Sequence, residues 1–75
     1  MGFEDFVDVH KDKSPVQKLY LLVRTMNMIA SARVGLATAQ NPDSEEHYRR
    51  EIEGQDKRAE WLCNEIEGAL KGAKA

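Results

Sequence analysis

Cysteine, proline, glycine and aromatic residues are all scarce in this chain of 75 residues, which has one Cys, two Pro, five Gly, two Phe, two Tyr and one Trp. A single cysteine excludes an internal disulfide. Cys63, His10 and His47 show no zinc-ligand spacing, so neither a metal nor a cofactor is expected. No HExxH, no glycine-rich phosphate loop and no nucleophile with a paired base is present, and a non-enzymatic protein is expected. Long apolar runs are missing too. The longest, Leu19 to Val23, stops at Arg24 and is far short of a membrane span. The start, Met1-Gly2-Phe3-Glu4-Asp5-Phe6, is acidic where a secretory signal would be basic, so a cytoplasmic protein with no membrane partner is expected.

Charge is plentiful but nearly balanced, with a net charge of −2, which argues against a nucleic-acid partner. The pairs Arg49-Arg50 and Lys57-Arg58 alternate with Glu46, Glu51, Glu53, Asp56 and Glu60, carboxylates that would repel a phosphate backbone. The middle of the chain is the apolar part. Residues 14–42 hold Lys18, Arg24 and Arg33 and no acidic side chain.

Two helices are legible. Ser14-Pro15-Val16-Gln17 is a helix start, with a hydroxyl N-cap, proline at the first helical position and glutamine placed to close a capping box. The helical pattern runs over 15–40. Asn41-Pro42-Asp43-Ser44 then gives a turn and N-cap acceptors for a second helix over 43–72. A link this short makes the two helices antiparallel neighbours. The expected fold is all-α, an antiparallel two-helix hairpin over 14–75 preceded by a short leader over 1–13. The leader is read as a helical turn that gathers Phe3, Phe6 and Val7, with an extended arm as the alternative.

Helix 2 carries one narrow seam, Tyr48, Ile52, Gln55, Ala59, Leu62, Ile66, Ala69 and Ala73, spaced alternately by four and three as in a coiled coil. Helix 1 differs. Val16, Leu19, Leu22, Val23, Met26, Ile29, Ala30, Val34, Leu36 and Ala37 fill one arc of ~160°. A second arc gathers Leu21, Met28, Ala32, Gly35 and Ala39, and these five are the expected oligomer interface. A helix that is apolar on two sides is normally buried on two sides. A core of this size rarely stabilises a chain by more than ~3 to 5 kcal/mol alone, so assembly into a homo-oligomeric helical bundle, a dimer or larger, is expected. The competing reading has Phe3, Phe6 and Val7 of the leader cover the second arc.

Two candidate sites follow. Trp61 lies opposite the seam of helix 2, near Arg50, Gly54 and Lys57 in projection. Tryptophan and arginine are enriched at binding hot spots, so these four residues are the candidate docking patch for a protein partner, with contact of Trp61 with the leader or with another copy as the alternative. Tyr20, Arg24, Asn27 and Ser31 form a polar stripe on helix 1. If copies of the stripe met, it would present a guanidinium, a phenol, an amide and a hydroxyl to a small anionic or nucleotide-like ligand. The plainer reading of the stripe is a solvated face or a register-setting polar layer. The leading expectation is therefore an adaptor, inhibitor or regulator of a macromolecular partner. The alternative is a ligand-sequestering protein with sites between subunits. No residue motif assigns the chain to a family, and four-helix-bundle architecture hosts many unrelated functions.

Overall fold

The computed structural model describes residues 2–74, with side chains described as far as residue 72. Three helices follow one another: α1 over Phe3–His10, α2 over Pro15–Thr38 and α3 over Pro42–Lys74. No strand occurs among the described residues.

Local chemistry sets the boundaries. At the start of α2 the Ser14 hydroxyl accepts from the Gln17 amide at 3.2 Å, and the Ser14 amide donates back to Gln17 Oε1 at 3.1 Å, so two otherwise orphaned donors are satisfied. At its end, Ala39 turns to an extended conformation (φ −62°, ψ 136°), and Pro42 follows. Asn41 Oδ1 then accepts the Ser44 amide at 2.9 Å and caps α3. The leader forms two turns of helix rather than one. Glu4 and Asp5 complement the positive end of its dipole, and Asp5 Oδ2 accepts from the Gly2 amide at 3.4 Å.

Helices α2 and α3 pack together, and α1 rests on α3. Lys18, at the start of α2, reaches Glu65 late in α3, while Gly35 near the end of α2 lies under Tyr48 near the start of α3. The seam of α3 is the one its spacing predicts: Gln55 and Leu62 are buried, and Tyr48, Ile52, Ala59, Ile66 and Ala69 are half-buried. Ala73 lies beyond the described side chains.

The result is a slab one helix thick, measuring 51 × 20 × 14 Å. Its radius of gyration is 14.5 Å, against about 11 Å for a compact chain of this length. Its core is correspondingly small. Phe6, Ile29, Ala32 and Leu62 are the buried apolar residues, and Lys18, Thr25 and Gln55 share the interior with them. These three polar side chains each have a partner: Thr25 Oγ1 donates to the Leu21 carbonyl at 2.8 Å, Gln55 Nε2 to Glu51 Oε1 at 3.2 Å, and Lys18 Nζ to Glu65 Oε1 at 3.0 Å.

Candidate functional site

Helix α2 turns two polar side chains, Lys18 and Thr25, inward and leaves much of its apolar surface outside, beside Tyr20, Arg24, Asn27 and Ser31. The residues it sends toward α3 include Lys18, Thr25, Ile29 and Ala32. Val16 (76% exposed), Leu19, Val23, Met26 and Val34 face solvent, as do Ala30 and Ala37. Positions 16, 19, 23, 26, 30, 34 and 37 keep the three-and-four spacing of a helix-docking seam. Beside this stripe runs a groove between α2 and α3, floored by Leu22, Ile29 and Ala59 and edged by Met26, Arg33, Asp56, Glu60 and Cys63.

This is the reverse of the expected division of α2. Ala32 and Gly35, expected on the oligomer interface, turn into the seam with α3. A Cβ built at Gly35 would run into the Tyr48 ring, so the close approach needs the smallest residue. Leu21 and Ala39 are half-buried, and Met28 stays exposed. The wide arc contributes Ile29 to the interior, with Leu22 and Leu36 half-buried, and leaves its remaining residues outside.

Phe6 carries α1 onto α3. Its ring meets Trp61 edge-on at 5.9 Å, lies tilted against His10 at 4.6 Å and lies under the Arg58 guanidinium at 5.0 Å. Lys18 Nζ approaches the Trp61 ring to 5.7 Å. Trp61 is therefore half-buried between α1 and the start of α2. The leader covers this ring. His10 Nδ1 is buried with no hydrogen-bond partner among the described residues, and the pKa of His10 is held below the ordinary 6.5 by burial first, and by the charges of Lys13 and Arg58 after that.

The four residues of the expected docking patch divide. Lys57 and Trp61 line one shallow cleft together with Phe3. Arg50 pairs instead with Glu46 at 2.8 Å, about 16 Å along the helix from Trp61, and the space around Gly54 is open. The polar stripe of α2 divides as well. Asn27 and Ser31 line a groove with Met28 and Ala32, facing His47, Tyr48 and Glu51 of α3. Tyr20 and Arg24 are exposed and lie outside that groove. Spacing does not single out His47 and Glu51 as lining this groove, because α3 periodicity places them on a solvated face. Their link to Asn27 depends on how α2 is rotated, which spacing alone does not give.

Among the described residues no cluster of His, Cys, Asp and Glu could hold a metal ion, and no helix is long and apolar enough to cross a membrane. Searches against protein-family models, curated proteins and solved structures find no match to this chain.

Proposed function

We propose that this chain is a non-enzymatic helical interaction protein, an antiparallel hairpin that acts as a homo-oligomer and serves as an adaptor or regulator of a macromolecular partner. The outward face of α2 carries the reading. Branched and long apolar side chains from Val16 to Val34 are left in water while a lysine, a threonine and a glutamine occupy the interior. Contiguous exposed apolar surface with this helical spacing is what a docking face supplies.

The area supports the same reading. The chain exposes 5615 Å², whereas a compact monomer of its mass exposes about 4,700 Å². The surplus, about 900 Å² on that scale, is close to the ~800 Å² that each partner contributes to a standard interface. Light scattering after size exclusion, run over a dilution series, tests the proposal. A mass of two chains or more at low micromolar concentration is expected, and a monomer throughout would overturn it.

A second reading draws on the groove where Asn27 and Ser31 meet His47, Tyr48 and Glu51, polar groups that converge from two helices. It makes the chain a binder of a small anionic or nucleotide-like ligand, with Arg24 recruited from a neighbouring copy. Its test is a thermal-shift screen against nucleotides and inorganic anions. The shift should be lost in Asn27→Ala and in Arg24→Ala, and no shift with any of them would remove this reading.

A further inference from the structure

We propose that the face of α3 around Trp61 is a receptor for a helical segment of a partner protein that presents two aromatic rings one turn apart, and that α1 occupies it as an internal competitor. This rests on the reading of the chain as an adaptor and uses a surface separate from the outward face of α2. Helix α1 has the form of such a segment. Phe3 and Phe6 stand three positions apart and both reach Trp61, and Phe6 is the buried residue of the helix. Its ring is held as a ring. Trp61 meets it edge-on at 5.9 Å, and the Arg58 guanidinium lies over it at 5.0 Å. Charge does not choose the occupant, because Lys57 shares its cleft with Glu60 and Lys18 is paired with Glu65.

The fit of α1 to this face is partial. Phe3 remains 38% exposed, and two clefts open between it and Trp61, one edged by Lys57 and Asn64 and the other by Val7 and Asp8. A helix of eight residues is too short to persist by itself, so α1 owes its order to this contact. Asp5 caps Gly2 and Asp8 pairs with Lys11, bonds that tie the leader to itself and not to α3. A segment anchored by so little buried apolar surface opens at the low end of the stability scale. An arm that closes its own site nine times in ten weakens an external helix about tenfold, which leaves the site usable and regulated. A partner ring larger than that of Phe3 fills the two clefts and gains on α1.

The probe is a fluorescently labelled peptide of residues 2–13, titrated by anisotropy into the full chain as wild type, Phe6→Ala and Val7→Pro. The first variant removes the anchor and the second breaks α1, and circular dichroism checks that α2 and α3 remain. The peptide is expected to bind both variants at least about tenfold more tightly than wild type. A Phe6→Leu peptide should bind at least about threefold more weakly than the parent, since leucine offers Arg58 no ring, and a Phe3→Trp peptide more tightly. No binding to either variant with α2 and α3 intact would overturn the receptor surface. Equal affinity for all three chains would overturn competition by α1, and equal affinity of the Phe6→Leu peptide would overturn selection for a ring. Competition that fades as the wild-type chain is diluted would assign the site to α1 of a second copy instead of a foreign helix. Light scattering on the same samples keeps the two readings apart: failure to bind in a chain of oligomeric mass overturns this site and leaves the outward face of α2 untouched.

Discussion

Tyr48 fills the space that Gly35 leaves open across the contact between α2 and α3, with its Cδ1 only 2.9 Å from where a Cβ at position 35 would stand. Gly35→Ala is therefore expected to destabilise the fold. Overpacking costs about 1–3 kcal/mol, more than the ~1 kcal/mol that alanine gains over glycine in a helix interior. In a Tyr48→Ala background the sign should reverse, and Gly35→Ala should stabilise by about 1 kcal/mol. Urea unfolding of the four proteins at one fixed concentration reads the cycle directly.

Lys18 and Glu65 are an unequal pair. Lys18 is 8% exposed overall, while the Glu65 side chain is 38% exposed, so removing the carboxylate strands a buried ammonium and removing the ammonium leaves an anion that reaches water. Glu65→Gln should cost about 1–3 kcal/mol, and Lys18→Met, which keeps the length and drops the charge, should cost less than half as much. Equal losses in thermal unfolding would contradict this account.

His10 gives the docking of α1 a pH dependence. Its folded pKa lies below the ordinary 6.5, so the docked state binds fewer protons than the undocked one. Docking is thus fully favoured above 6.5 and weakens as the pH falls below that value through the lowered one. Protonation there sets a third positive charge beside Lys13 and Arg58. Trp61 fluorescence should report the release on acidification, and the titration should flatten in His10→Gln.

Val23 stands at the centre of the exposed stripe, 52% accessible in the single chain. Val23→Glu should leave helix content unchanged and weaken self-association at least about a hundredfold, since the contact would bury an unpaired charge. Sedimentation velocity reads the change. A variant with unaltered mass would show that the face lies outside the interface.

The two helices were not equally legible. In α3 the apolar residues make a single stripe, so spacing alone gives the buried side: Leu62 and Gln55 are interior, and Tyr48 and Ile66 flank them. In α2 apolar residues cover two sides, and hydrophobicity alone favours the wide arc. The structure buries the other side because contact distance decides there. Gly35 and Ala32 let the backbones approach, Thr25 satisfies its hydroxyl on its own helix, and Lys18 finds Glu65. None of these is visible in a count of apolar residues. Trp61 was undecided for a different reason: projection sees one helix at a time and leaves docking patch and leader contact equally open, whereas the fold-back of Phe6 onto the ring is a contact between elements.

Trp61 and Cys63 are the only residues of their types, and two positions apart on α3 they stand roughly 160° from each other around the helix. One is set beside α1 and the other on the rim of the groove next to the outward stripe. The chain thus carries two native probes on opposite sides, an indole that senses the leader and a thiol whose labelling rate senses occupation of the groove. Undocking and association can be followed separately in one unmodified sample.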